Sequence, residues 1–254
     1  MTRTLAALLL LVPAAAQAEP VRAHYALYAK GLNAVRLDAE FDVTPQRYRV
    51  KMQFRTTGTI GAMFRGQSES TVDGRFVAGR PVPNRYFASG NFRDTPRVTQ
   101  IDYSAGQPNV RQMQPPNDAE RELVPPTAQV GTVDGLSVMA QLVQQVNATG
   151  RCEGDARTFD GRRLSDVSAR TIGPDQLAPN SRSTYSGPAL RCEFEGRQTG
   201  GFMLDADRTV LIKPQRGSVW FAATSPGGSL VPVRVVIPTR FVGDVTVYLA
   251  AKDE

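Results

Sequence analysis

Between Asn33 and Val43 the odd positions Val35, Leu37, Ala39, Phe41 and Val43 are apolar, while Arg36, Asp38, Glu40 and Asp42 are polar. From Arg47 to Arg55 the parity inverts: Tyr48, Val50, Met52 and Phe54 are apolar, and Arg47, Arg49, Lys51, Gln53 and Arg55 are polar. Alternation with period two sorts side chains onto two faces and predicts half-buried strands. A hairpin looping through Val43-Thr44-Pro45-Gln46 sets Asp42 opposite Arg47, Glu40 opposite Arg49 and Asp38 opposite Lys51. On the other face Phe41, Ala39, Leu37 and Val35 meet Tyr48, Val50, Met52 and Phe54. A slip of one residue would destroy both the charge match and the apolar match. The preceding segment Ala23–Lys30 pairs back through Gly31-Leu32-Asn33, which places His24 opposite Glu40 on the solvated face.

Punctuation continues the β pattern. Asp73-Gly74, between Thr71-Val72 and Arg75-Phe76, fits a two-residue hairpin turn. Ser104-Ala105-Gly106 separates the strand-like Arg97–Tyr103 from Asn109–Met113, and the Pro-rich 114–130 reads as a long connection. A single convincing helix follows over Gly135–Thr149, capped by Asp134 or Thr132 and ended by Gly150. Its apolar stripes are Leu136, Met139, Ala140 and Val143, and Val138, Leu142 and Val146; Ser137, Gln141, Gln144 and Gln145 make a polar, uncharged third. A helix this apolar is expected to be covered on several sides. Further strands are predicted over Ala156–Phe159, Ser165–Ile172, Ala189–Glu195, Phe202–Leu204, Thr209–Lys213, Val219–Ala223, Leu230–Ile237 and Asp244–Ala250.

The order β-rich, one helix, β-rich predicts a mainly β, α+β fold. A strongly curved antiparallel sheet or half-barrel would wrap around the central helix near 135–149, in a single β-rich domain over 19–254. The first eighteen residues read differently. Arg3, the apolar run Leu5–Val12 and the small-x-small site Ala16-Gln17-Ala18 have the layout of a signal peptide cleaved after Ala18. The apolar run is about half the ~20 residues needed to span a bilayer, so no spanning segment is expected after cleavage.

Composition narrows the partners. The formal charge of +6 comes almost entirely from Arg, with Lys only at 30, 51, 213 and 252. The bases are interspersed with acids along strands, with neither a basic patch nor a nucleic-acid module, so nucleic acid is not an expected partner. Cys152 and Cys192 are the only two cysteines, and an even pair outside the cytoplasm reads as a disulfide. A metal site would need further ligands, and His24 is the only histidine.

The run Pro115-Pro116, Arg121, Val124-Pro125 and Gly131-Thr132-Val133-Asp134-Gly135-Leu136-Ser137 resembles a bacterial family known as domain of unknown function 3108. So do Phe159-Asp160-Gly161-Arg162-Arg163 after Cys152, Tyr185-Ser186-Gly187-Pro188-Ala189 before Cys192, and the Asp73-Gly74-Arg75-Phe76 turn. The resemblance covers most of residues 22–250, departing at Gly135, where the family pattern has Pro at the helix start. It implies an exported protein of Gram-negative bacteria with no established activity, and it assigns no functional residues. The expected architecture is also similar to that of periplasmic lipoprotein carriers, which hold acyl chains between sheet and helix; this comparison rests on shape alone.

No catalytic constellation is found. His24, on a strand edge, is the only imidazole available to a Ser-His-Asp or Cys-His site, and no P-loop or G-x-G-x-x-G follows a strand. Asp160-Gly161-Arg162-Arg163 reads as a plain hairpin turn before it reads as a recognition loop. The expectation is therefore a non-catalytic periplasmic protein without metal or cofactor, binding a lipid or acylated envelope component. The candidate ligand-binding residues are Leu37, Phe41, Val50, Met52 and Phe54 facing Met139, Leu142 and Val143, residues that would equally make a closed core. The alternative is an envelope scaffold with a closed core, meeting a protein or glycan through Arg47, Arg49, Lys51 and the Pro-rich loop.

Overall fold

A computed structural model describes residues 20–252 except 64, 93 and 240–242, together with all but the side chain of Ile60; the predicted signal peptide lies outside the described residues. Seven strands come first: β1 (Val21–Ala29), β2 (Leu32–Val43), β3 (Arg47–Thr56), β4 (Gly66–Val77), β5 (Arg80–Phe92), β6 (Thr95–Ser104) and β7 (Gln107–Gln114). Six more follow: β8 (Gly154–Phe159), β9 (Leu164–Leu177), β10 (Gly187–Gly200), β11 (Gln215–Ala223), β12 (Leu230–Thr239) and β13 (Gly243–Ala250). The helices are α1 (Gly58–Met63), α2 (Pro126–Gln129), α3 (Gly135–Thr149) and α4 (Arg208–Leu211), with a 3-10 turn over Asn117–Ala119.

The curved antiparallel sheet is present, but the half-barrel organised about one central helix is not. All thirteen strands form one sheet in the order β7-β6-β5-β4-β3-β2-β1-β13-β12-β11-β10-β9-β8, and its edges β7 and β8 do not pair. The helices are several and short. Even α3, with 15 residues, is roughly 22 Å long. It packs mainly on β2–β5, β8 and β12.

The β2–β3 hairpin keeps the expected faces and shifts its register by two residues. Asp42 pairs with Arg49, Glu40 with Lys51 and Asp38 with Gln53, while Phe41, Ala39 and Leu37 meet Val50, Met52 and Phe54. Thr44 causes the shift. Its N–H and hydroxyl donate to the Arg47 carbonyl at 2.9 and 3.1 Å, which shortens the loop and draws Val43 into the strand opposite Tyr48. The β1–β2 hairpin shifts as well, turning through Lys30 and Gly31, so that His24 faces Asp38 instead of Glu40, with Nδ1 and Oδ1 2.5 Å apart, and Glu40 pairs with Arg22 at 3.0 Å.

Three other elements differ from expectation. Asp73-Gly74 lies inside β4, and the turn is made by Ala78 and Gly79, both at positive φ. Thr209–Lys213, read as a strand from its β-branched residues, begins with α4, because the Asp207 carboxylate caps the Thr209 N–H at 2.8 Å. Phe202–Leu204 forms no strand, only a bridge between Met203 and Arg121.

α3 has the bounds and caps expected. Asp134 accepts from the Ser137 N–H at 2.9 Å, and Gly150 closes the helix at φ 67°. Ser137, however, belongs to the buried face with Ala140, Val143 and Val146. The main core joins these to Tyr25, Phe41, Val50 and Val72 on one flank and Val219, Phe221, Val231 and Val233 on the other. Cys152, just beyond α3, and Cys192 on β10 are bonded in a disulfide, with Cα atoms 6.3 Å apart, and both are fully buried.

The unpaired edges are bridged by side chains and loops. Arg97 on β6 makes a two-pronged contact with Glu120, which also lies 3.6 Å from Arg162 in the β8–β9 turn. Arg162 donates to the Pro115 carbonyl at 2.7 Å. Val133 pairs in parallel with Thr158 of β8. Behind this seam Ile101, Val124, Phe159 and Leu164 form a second, smaller core.

Candidate functional site

Residues that alternate inward on distant strands leave a space against α3. It is a cavity of about 1000 Å³, bordered by Leu136, Val138, Met139 and Leu142 of α3, by Leu37, Met52 and Phe54 of β2 and β3, and by Phe194, Val219, Phe221, Val235 and Ile237 of β10–β12. The wall is predominantly apolar. Phe54 shows what this means locally: it sits on the inward face, yet it is 39% exposed, because it meets open space and not a facing side chain.

The sequence-predicted site residues divide into two groups. Leu37, Met52, Phe54, Met139 and Leu142 border this cavity together. Phe41, Val50 and Val143 are buried in the main core; Phe41 and Val143 border a separate cavity of about 180 Å³ beside Val21, Val43 and Val231. The far wall was missed. Its signal was available in the parity of β10–β12, where Phe194, Val219, Phe221 and Val235 fall on inward positions.

Polar groups stand at one part of the wall. Ser70, Tyr86, Asp160 and Arg163 all border the cavity. The Asp160 carboxylate accepts from the Arg162 and Arg163 N–H groups at 2.9 and 2.7 Å and from Arg163 Nε at 2.8 Å. Burial opposes its ionisation, but the Arg163 guanidinium and the two backbone donors outweigh burial and hold the carboxyl below its ordinary range. Arg163 remains 54% exposed, so the ion pair is reachable despite the protein around it. Burial pushes the Tyr86 hydroxyl up to about 12, with Ser70 pulling slightly the other way, so Tyr86 is a neutral donor at physiological pH.

Beneath the N-terminus of α3 runs a second polar chain, fully buried. The Ser137 hydroxyl donates to Asp134 Oδ2 at 2.6 Å, and Tyr48 donates to the Ser137 hydroxyl, 2.8 Å away. A Ser-Asp pair of this kind has no imidazole and no opening; its geometry is that of a cap that ties helix to sheet. Of the proposed scaffold bases, Arg49 pairs in register with Asp42 and Asp73 and Lys51 lies 3.1 Å from Glu69, whereas Arg47 stands opposite Arg75. Among the described residues no group of three or more His, Cys, Asp or Glu is placed to hold a metal ion, and no helix is long and apolar enough to cross a membrane.

The family model of a protein of unknown function, DUF3108, matches residues 22–250, which include every strand but the first residue of β1 and both walls of the cavity. The chain belongs to this family. A member of the DUF3108 family thus shares its fold with a crystal structure of a β-barrel-like protein of domain of unknown function DUF1849 from Brucella abortus. The likeness has a TM-score of 0.53 at 13% identity and covers 91% of this chain and 95% of that one. At that identity it speaks for the fold alone. No curated protein matches the chain, and no catalytic family is indicated.

Proposed function

We propose that this DUF3108 protein is a non-catalytic binding protein of the cell envelope that holds an apolar or amphiphilic component, a lipid or acyl group, in the cavity between α3 and the inner sheet face. The observation that carries the reading is the cavity itself: about 1000 Å³ of space with a largely apolar wall. A closed core fills such space with side chains, and native interiors contain few voids larger than a water molecule. Small-molecule sites fall in this size range and combine apolar walls with a few polar groups. Here Arg163, Asp160 and Tyr86 supply the polar part, while Met52 and Met139 give the wall two side chains that adapt to an alkyl chain. Export and a periplasmic location are part of the proposal; the Cys152–Cys192 disulfide and the N-terminal sequence pattern support them.

The test is native mass spectrometry and lipid extraction of the protein purified from periplasm, followed by displacement of a fluorescent fatty acid. The wild-type protein should carry or take up an acyl ligand, and Leu142→Trp and Met52→Trp, which fill the cavity, should lose uptake while unfolding cooperatively. A clean apo species that takes up no probe would sink the carrier reading and leave the scaffold reading standing.

A further inference from the structure

Val219 and Phe221 border the cavity, so Trp220 between them points to the opposite, outer face of the sheet. Register places Arg191 of β10 and Arg234 of β12 directly beside it, one on each neighbouring strand, and Tyr248 of β13 beside Arg234. The two guanidinium carbons lie 5.4 and 5.1 Å from the Trp220 ring centre, and that of Arg234 is also 5.6 Å from the Tyr248 ring. Asp175 fixes the indole by accepting its N–H at 2.7 Å. The same transverse row runs on through Ala26 to Arg36 and Arg55.

Stacking orients these arginines without using up their hydrogen-bonding capacity. Both Nε–H groups are buried and make no hydrogen bond among the described residues. Arg191 reaches Glu193 and the Ser218 hydroxyl only through Nη2, each at 3.4 Å, and Glu193 is shared with Arg170 at 2.5 Å. Among the described residues no carboxylate lies within ion-pair distance of Arg234. Buried donors in native proteins are almost always satisfied, and one that is not points to a ligand, an ion or a solvent molecule. The buried Nε atoms face the protein, so the donors open to a ligand are the Nη groups: Arg191 is 37% exposed and Arg234 half-buried, and two cations that flank one fixed aromatic ring form a preorganised acceptor of negative charge. Two carboxylates stand beside the pair: Asp175, held below its ordinary range by the Trp220 N–H and also by the Arg191 and Arg234 charges, and Glu193, which lies 3.4 Å from Arg191 and 2.5 Å from Arg170.

We propose that Arg191 and Arg234, held against Trp220, form a binding site for a tetrahedral oxyanion of the phosphate class, either free or on a lipid head group. Guanidinium forks match phosphate oxygens in geometry and charge, and ion-assisted hydrogen bonds are the stronger kind. The site lies on the face opposite the cavity and does not depend on cavity occupancy.

Trp220 is the only tryptophan of the chain, so its emission reports on this site directly. The full-length mature protein is titrated with inorganic phosphate against chloride at constant ionic strength. It is titrated separately with vesicles of phosphatidylglycerol in phosphatidylcholine and of phosphatidylcholine alone. A saturable change with phosphate, with phosphatidylglycerol vesicles or with both supports the site, and the pattern identifies the source. Arg191→Gln and Arg234→Gln should each weaken it roughly tenfold or more, whereas Arg22→Gln, at a distant exposed pair, should leave it unchanged. Should a Gln variant fail to fold by circular dichroism, the Lys variant replaces it: it keeps the charge and loses the fork, and the same weakening is expected. Absence of any saturable response, or a response that survives both substitutions, overturns the proposal.

Discussion

The Tyr48 hydroxyl on β3 lies 2.8 Å from the Ser137 hydroxyl on α3, and both side chains are buried. Ser137 spends its hydrogen on Asp134, so Tyr48 is the donor, and a single hydrogen bond links the sheet to the first turn of the helix that walls the cavity. Tyr48→Phe removes that donor and leaves the Ser137 oxygen short of a partner. The expected loss is about 1–2 kcal/mol, read as a lower urea midpoint at unchanged slope. No loss would mean that packing alone seats the helix.

Asp134 is fully buried, and burial pushes its carboxyl above the ordinary range, with the bonds from Ser137 offsetting only part of the rise. In the unfolded chain an aspartate titrates near about 3.9. Between that value and the raised folded one, the native state holds more protons than the unfolded state. Its contribution to stability therefore falls as pH rises through this window. Asp134→Asn cannot titrate, so the stability of the variant minus that of the wild type should grow as pH climbs from about 4 and then level off. Urea unfolding across pH measures it; a difference that stays flat with pH would show that Asp134 titrates as in the open chain.

Cys152 and Cys192 close a loop of 40 residues between the end of α3 and β10. Removing both as the Cys152→Ser, Cys192→Ser double variant should cost about 2–4 kcal/mol, and reductant should lower the melting temperature of the wild type alone. Equal melting temperatures with and without reductant would refute a stabilising bond.

Much of this fold is legible in the chain because period-two alternation and helix caps are local signals. α3, its caps and its end at Gly150 follow from Asp134, the apolar stripes and a left-handed glycine. The β2–β3 faces are also legible, but their register is not. Acids at 38, 40 and 42 repeat every two residues against bases at 47, 49 and 51, so a two-residue slip keeps nearly every match, and the register found is the one in which the Thr44 N–H and hydroxyl both reach the Arg47 carbonyl. α4 was hidden because the β propensity of Thr209 and Val210 is weaker than one good cap on Asp207. The cavity was half legible: alternation says which side chains face inward, but not whether anything meets them there, as Phe54 illustrates. The arginine row was not legible at all, since Arg191, Trp220 and Arg234 become neighbours only through strand pairing.

Gly74 puts the difference between a turn and a close approach to a direct test. A hairpin turn would need glycine for a positive φ, yet Gly74 has none and lies in β4 opposite Tyr48. What it supplies is room: a Cβ there would sit 2.5 Å from the Tyr48 hydroxyl oxygen and 2.7 Å from the Val82 carbonyl. Tyr48 cannot swing aside, because its ring packs on Phe76 at 4.9 Å and its hydroxyl is held by Ser137. Gly74→Ala should therefore cost about 1–3 kcal/mol through overpacking. The penalty should shrink by about 1 kcal/mol when Tyr48→Leu is introduced first, a coupling that a double-mutant cycle measures. A penalty that does not depend on residue 48 would point instead to the Val82 carbonyl as the group that the Cβ meets.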